Sequence, residues 1–255
     1  MRKGSLALLV LFATGALAAP VELKVSLRVD DSPLRFGQTY QTPQGLRYQI
    51  DLLKFYISNV ALIRPDGREV RVEGLTLADF KREAPTQGVS VMRMDLPPGQ
   101  YRGLRFDVGV PRELNHLDAG TQQLPLGVNS GMYWAWNPGY IFYRLEGTAL
   151  LSEGNQKWVI HMGTDAFRIP VRLHDLQTRR VQINIPPGGG AIEVHLDVAR
   201  AFQTGPGGVF LDWRKPSLRQ LHGLSPETSL LMSVVYSDLT AIPHRAPGSA
   251  GQRGG

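Results

Sequence analysis

The residues with the clearest chemical potential lie in the segment 131–147, where Trp134 and Trp136 stand one residue apart. Three tyrosines flank them, namely Tyr133, Tyr140 and Tyr143. In an extended segment, residues two apart point to the same face, so both indoles are expected to share one surface. Two interpretations stay open. Composition alone favours an aromatic cluster in the core of a β-sandwich, and the alternative is a functional aromatic site.

The chain contains no cysteine, which excludes thiolate metal sites, haem attachment through cysteine, cysteine nucleophiles and a disulfide framework. Any bound metal must therefore use histidine, methionine, carboxylate, backbone or some less ordinary ligand. The six histidines are His116, His161, His174, His195, His222 and His244. No two of them have the i, i+4 spacing of a helical site, and neither HxH nor HExxH occurs. A metal site would have to combine histidines that are distant in the sequence.

Three histidines are the candidate ligands. His116 lies in a long polar loop, where a solvated side chain is an equally good interpretation. His161 is predicted in a strand, facing away from the apolar face, where a hydrogen-bonded histidine of the sheet is favoured. His222 precedes a glycine and is open between a ligand role and a structural one. His195 alternates with two acidic residues on a strand face that we interpret as solvated.

Other functions have less support in the sequence. Neither a G-x-S-x-G nucleophile elbow nor an S-x-x-K motif is present. Glu146 and Asp165 could be imagined as the carboxylate pair of a glycosidase, although only their availability supports this. A binding module for carbohydrate or protein is the more serious alternative, because exposed tryptophans on a β-sandwich can form a contact platform for sugar rings.

The N-terminal residues predict export. A basic start is followed by an apolar run and by Ala16 and Ala18, which is the pattern of a signal peptide spanning residues 1–18. Its apolar part is too short to cross a bilayer, so we expect a cleaved, periplasmic or otherwise exported protein. Removing these residues leaves a scattered positive charge of about +4, too sparse for nucleic-acid binding.

Short alternating strands predict the fold. Residues 21–29 alternate strictly between apolar and polar, and residues 54–72 form a predicted hairpin around a Pro-Asp-Gly turn. Further strands recur at regular spacing with Pro and Gly between them, which favours an all-β, single-domain antiparallel β-sandwich with long loops over residues 19–242. A short C-terminal helix is predicted at 228–239 and a disordered tail at 243–255.

The aromatic segment also carries a family resemblance. The run Met132-Tyr133-Trp134-Ala135-Trp136, followed by Gly139-Tyr140 and Leu145-Glu146-Gly147, resembles the signature of the MbnP-like copper-binding proteins. Residues 55–60, 109–116 and 161–163 agree with the family in the same order. The resemblance implies an exported β-protein that binds copper, is not itself an enzyme, and has a MauG/MbnH-like dihaem peroxidase as its partner.

The resemblance also implies an unusual metal site. In this family the partner oxidises a tryptophan to kynurenine, and the amine that results joins histidine imidazoles around copper, a metal that imidazole suits well. By this analogy the modified residue is Trp134 or Trp136, and the copper ligands come from His116, His161 and His222. Tyr133 and Tyr140 would be supporting aromatic residues.

Overall fold

The computed structural model describes residues 17–134, 136, 139–174, 182–204, 209–222 and 240–243. The strands are, in chain order, β1 (Ala19–Val29), β2 (Ser32–Pro33), β3 (Tyr40–Gln41), β4 (Arg47–Ile63), β5 (Glu69–Arg71), β6 (Leu75–Lys81), β7 (Val89–Leu96), β8 (Gly99–Tyr101), β9 (Gly103–Val108), β10 (Tyr143–Leu151), β11 (Gly154–Met162), β12 (Ile169–His174), β13 (Ile183–Ile185), β14 (Gly190–Asp197), β15 (Gln203–Thr204), β16 (Val209–Phe210), β17 (Gln220–His222) and β18 (Thr240–Pro243). The helical elements are α1 (Arg112–Asn115) and short 3-10 turns at Val128–Ser130, Asp165–Phe167, Val198–Phe202 and Pro216–Leu218.

Strand β1 is the centre of a five-stranded sheet. Every odd-numbered residue of β1 is apolar and buried, as the two-residue period of a strand with one buried face requires. Strand β14 runs parallel along one side of β1, and β7 runs antiparallel along the other. Strand β18 extends the sheet beyond β14, and β2 pairs with the last residues of β1.

The long strand β4 organises a second, nine-stranded sheet with the path β12-β9-β4-β10-β11-β17. The first half of β4 pairs with β10, whereas its last residues pair with β9. The change of neighbour falls at Tyr56, whose N–H donates to the carbonyl of Phe142 while its own carbonyl accepts from the N–H of Gly109. The sheet therefore opens at this point, and the aromatic segment lies at the opening.

The two sheets face each other across the hydrophobic core. A small apolar cavity between them is lined from both sides, by Val25, Val194 and Leu196 of the first sheet and by Phe55, Phe106, Val108, Tyr143 and Val171 of the second. This arrangement confirms the predicted all-β sandwich. It is mixed and not purely antiparallel, because β1 with β14 and β11 with β17 pair in parallel. Both parallel pairs join strands that are distant in the sequence, as the long crossover of a parallel pair requires.

The predicted strands are largely confirmed, including the hairpin of β4 and β5. The strand that follows the aromatic segment begins at Tyr143, whereas Tyr140 forms an isolated bridge with Tyr133. Most of the predicted signal peptide, the predicted helix at 228–239 and the tail beyond Pro243 lie outside the described residues. Within the described part of the chain, none of the helices has the length and apolar character that crossing a bilayer requires.

Gly147 marks the closest approach between β10 and its neighbours. A Cβ at this position would lie 2.1 Å from the carbonyl oxygen of Gln49 and 2.2 Å from Cζ2 of Trp158. Trp158 is fully buried and stacks on Trp213 with ring centroids 4.7 Å apart. Only a residue without a side chain allows β4, β10 and this indole pair to pack together.

Replacing Gly147 with Ala should therefore destabilise the fold by about 2 kcal/mol or more, because the added methyl group must displace backbone or a buried indole. The control is Gly188→Ala, where a Cβ would have no neighbour within 4 Å. Urea unfolding of both variants measures the difference. Equal free energies of unfolding in the two variants would contradict the packing argument.

Candidate metal centre

Two of the three candidate histidines meet at the end of the nine-stranded sheet. Strand β17 pairs in parallel with β11, so that Val159, Ile160 and His161 are the register partners of Gln220, Leu221 and His222. Register partners on neighbouring strands place their side chains on the same face. The rings of His161 and His222 consequently lie 5.1 Å apart between centroids, at an interplanar angle of 82°.

Both tryptophans of the aromatic segment lie against this histidine pair. The Trp134 ring is 6.0 Å from that of His161 and 5.9 Å from that of His222, and the Trp136 ring is 6.4 Å from His222. The two indoles are 4.9 Å apart. Their exposure differs greatly, since Trp134 is 4% exposed and Trp136 is 70% exposed. We call Trp134, Trp136, His161 and His222 the Trp–His cluster.

The backbone of the aromatic segment holds Trp134 in place. The N–H of Trp134 donates to the carbonyl of Gly139, and the N–H of Ile141 donates to that of Met132. Gly163, just after β11, allows the close approach: a Cβ there would lie 2.9 Å from Nε1 of Trp134. This buried Nε1 has no hydrogen-bond partner among the described residues, although an indole N–H usually finds one.

Glu146 fixes the orientation of His161. Its Oε1 lies 2.8 Å from Nε2 of His161 and accepts a second hydrogen bond from Nε of Arg144 at 2.6 Å. The hydrogen bond with His161, followed by that from Arg144, holds the pKa of the Glu146 carboxyl at about 2 against the opposing effect of burial. An ionised carboxylate only accepts, so Nε2 of His161 donates this hydrogen bond and Nδ1 is the ring nitrogen left free of Glu146.

His222 is available as a neutral ligand. Burial of part of its ring, together with the neighbouring His161, lowers the pKa of His222 below its ordinary value of 6.5. The imidazole therefore stays uncharged at neutral pH and can offer a nitrogen lone pair. This matters because a metal binds the deprotonated nitrogen of histidine.

His116 belongs to a neighbouring group of side chains. Its Nε2 lies 2.8 Å from Oδ2 of Asp165, and Nδ2 of Asn115 donates to Oδ1 of the same carboxylate at 2.9 Å. Buried Asn115 also accepts from the N–H of Tyr140 at 2.9 Å, which ties this group to the aromatic segment. Among the described residues, His116 has no ring contact with the Trp–His cluster.

The two tyrosines predicted as supporting residues and the strained residue Thr164 are the other features of the segments that carry the Trp–His cluster. The rings of Tyr133 and Tyr140 are 5.9 Å apart, and buried Tyr140 also lies 6.0 Å from Tyr56. Thr164, between His161 and Asp165, has φ 130°, a conformation that almost only glycine adopts. Such strain persists only where the surrounding contacts determine the backbone, so the segment after β11 is held under constraint.

The arrangement of these side chains can be compared with what a metal site, a glycosidase and a sugar-binding platform each require. Within the described residues, no three side chains of His, Cys, Asp or Glu are arranged to hold a metal ion. A metal bound by His161 and His222 would therefore need a donor of another type. The hydrogen bonds from His161 and Arg144 lower the pKa of Glu146 and so disfavour it as the protonated acid of a glycosidase. The indoles are tilted by 56° and one is buried, so they do not form a flat platform for sugar rings.

Two functional positions were missed in the sequence. The sequence suggests Glu146 as one carboxylate of a glycosidase pair and as part of the family signature, whereas the structure makes it the partner of His161. The turn between β10 and β11 contained a signal for this, because the two-residue period places Arg144, Glu146 and His161 on one face of that hairpin. Gly163 offered no signal, since its role depends on the distant indole of Trp134.

Asn115→Ala should lower the free energy of unfolding by about 1–3 kcal/mol, because it leaves the buried N–H of Tyr140 without an acceptor. The amide hydrogen of Tyr140 should also exchange faster with solvent. His116→Ala is the control, since His116 contacts the same carboxylate but is exposed. Unchanged exchange at Tyr140 in Asn115→Ala would contradict the anchoring role.

The chain resembles one known protein family in sequence and in fold. Residues 18–210 match the family described as MbnP, which is more than half of the chain. The solved structure of MbnP from Methylosinus trichosporium has the same fold, with 20% sequence identity, a TM-score of 0.54, and coverage of 74% of this chain and 79% of that one. No curated protein sequence matches. From the extent of the family match, this chain belongs to the MbnP family.

Proposed function

We propose that this member of the MbnP family is an exported copper-binding protein in which Trp134 or Trp136 is oxidised to kynurenine by a MauG/MbnH-like dihaem peroxidase. The observation that carries the proposal is the Trp–His cluster, in which two imidazoles in edge-to-face contact each lie about 6 Å from the Trp134 indole, and His222 lies 6.4 Å from Trp136. The protein is a substrate of the partner and not itself an enzyme. A periplasmic location belongs to the proposal, and the signal peptide predicted at residues 1–18 supports it.

The donor set fits copper. Imidazole nitrogen is a preferred copper ligand, and the lowered pKa of His222 favours the neutral form that binds a metal. His161 would bind through Nδ1, because Glu146 engages its Nε2. Glu146 thus acts as the outer partner that fixes the ring and increases the basicity of its nitrogen. The bound copper ion would either supply one-electron chemistry or serve only as the bound ligand.

The third donor would come from the oxidised indole. Conversion to N-formylkynurenine breaks the C2–C3 bond of the indole and adds one oxygen atom to each of these carbons. With hydrogen peroxide as the oxidant, each oxygen delivered leaves one water molecule. Hydrolysis then releases formate and leaves an aryl amine. Such an amine would provide the donor that His, Asp and Glu do not provide among the described residues.

The two indoles suit different parts of this chemistry. Trp134 lies against both imidazoles, so an amine formed from it would be close to the metal. Trp136 is the accessible indole and can be reached directly by an oxidant. Within the part of the chain that the structure describes, the buried N–H of Trp134 has no hydrogen-bond partner, and oxidation would replace this group with an amine able to bind a metal.

Copper binding should depend on both histidines of the cluster. We expect His161→Ala and His222→Ala to lose the tight copper site, and Glu146→Gln to weaken it about 10- to 100-fold through loss of the outer partner. Dialysis against a competing chelator, followed by metal analysis, measures this. His116→Ala should bind copper like the parent if the site uses two histidines, and more weakly if it uses the three that the resemblance implies. Parent-like copper binding in both His161→Ala and His222→Ala would reject the proposal.

The modification should be visible in the peptide that carries both tryptophans, which trypsin releases as residues 113–144. Protein purified from its native host should show a kynurenine-type mass change there. Trp134→Phe and Trp136→Phe identify which residue is modified, and the variant that loses the modification should also bind copper more weakly. Trp158→Phe is the control, because that indole is buried in the core. Unmodified tryptophan at every position would favour a non-metal binding module.

A further inference from the structure

The exposed large apolar side chains are concentrated in one loop. Among the described residues there are six of them, and all except Leu17 fall between residues 117 and 136. They are Leu117, Leu124, Val128, Tyr133 and Trp136. Leu124 is 70% exposed and Val128 is 52% exposed. We call these five side chains the apolar loop surface.

The loop beneath this surface is held by polar contacts. The hydroxyl of Tyr56 donates to the carbonyl of Pro125 at 2.8 Å, and Nζ of Lys54 donates to that of Ser130 at 3.3 Å. Both anchors come from β4, the central strand of the larger sheet. The exposure of Leu124 and Val128 therefore occurs on a loop whose underside is fixed to the sheet.

Both ends of the loop are fixed beside the Trp–His cluster. At the first end, Asn115 bonds to the backbone of Tyr140. At the other end, the carbonyl of Gly131 accepts from Nη1 of Arg144 at 2.6 Å, and Arg144 shares Glu146 with His161. The apolar loop surface is thus attached at two points to the segment that carries Trp136.

The composition of the loop is that of a contact surface. Residues 117–136 contain a single charged residue, Asp118, although one fifth of the chain is charged. Depletion of charge and exposure of aromatic and aliphatic side chains distinguish the centre of protein interfaces from ordinary surface. An uncharged apolar surface excludes a polyanion or a charged ligand as its natural partner and fits an uncharged apolar face of another protein.

We infer that the apolar loop surface is the docking site for the oxidising partner enzyme, which would present an apolar, uncharged face around its oxidant. This inference rests on the proposed function. The argument for this occupant is that Trp136 belongs both to the surface and to the Trp–His cluster, in ring contact with Trp134. Leu124 and Val128 precede Trp136 in the same anchored loop, so a protein docked on this loop would lie beside the exposed indole on which an oxidant of this cluster would act.

The test is the double variant Leu124→Asp, Val128→Asp in the full chain, studied with the dihaem peroxidase of the same organism. Binding is measured by surface immobilisation of the peroxidase, and kynurenine formation is measured by mass spectrometry after addition of hydrogen peroxide. We expect the Kd of the complex with the peroxidase to rise by about tenfold or more, because the variant places charges at the centre of an apolar interface. Kynurenine formation should slow at low peroxidase concentration and recover at high concentration.

A matched control adds the same charge elsewhere. Ser152→Asp, Asn155→Asp places two carboxylates on exposed positions at the opposite end of the β10–β11 hairpin from His161. This control should bind the peroxidase like the parent. Circular dichroism and copper content establish that the fold and the histidine site are intact in both double variants. If Leu124→Asp, Val128→Asp does not fold, the single variant Leu124→Asp takes its place.

The outcomes separate docking from the chemistry. Parent-like binding by the Leu124, Val128 variant, or no binding by the parent, overturns the docking inference. The parent could instead self-associate through this surface while the variant stays monomeric and binds the peroxidase normally. That result would assign the surface to a second copy of the chain and would also overturn the docking inference. Weakened binding of the variant without any kynurenine in the bound parent supports the docking site and rejects the proposed function.

Discussion

Three residues of β17 lie parallel to the end of β11, and the register of this short pairing brings the rings of His161 and His222 into edge-to-face contact. A shift of one residue would turn His222 to the opposite face and separate the two rings. The neighbouring features depend on the same alignment. Glu146 orients His161 from the adjacent strand, and the indole of Trp134 covers both rings only where they are together.

The sandwich could be anticipated because its signals are local. The alternation along β1 and the Pro-Asp-Gly turn after β4 each indicate a strand or hairpin without reference to the rest of the chain. The parallel pairings could not be anticipated in this way. They join strands separated by long stretches of sequence, and nothing in the three residues of β17 specifies which edge they extend. The bridge between Tyr133 and Tyr140 depends likewise on the opening of the sheet at Tyr56.

The candidate site was accessible from the sequence only in part. The adjacent tryptophans are conspicuous by residue type, and the candidate histidines could be selected because the chain has few of them. Their grouping was not accessible, since the interaction of His116 with Asp165 and the contact of His161 with His222 are both tertiary. The contrast between buried Trp134 and exposed Trp136 was equally hidden, because it depends on the backbone at Gly163.

The pairing of β11 with β17 has a mechanical consequence. Among the described residues, β17 is the last strand on its side of the sheet, and it pairs with β11 through three residues. A ligand held by both imidazoles would close the chain between residues 161 and 222 into a loop and restrict the unfolded ensemble. Loading the site would then act as a cross-link that a chain without cysteine cannot form by oxidation, and its removal would release the edge of the sheet.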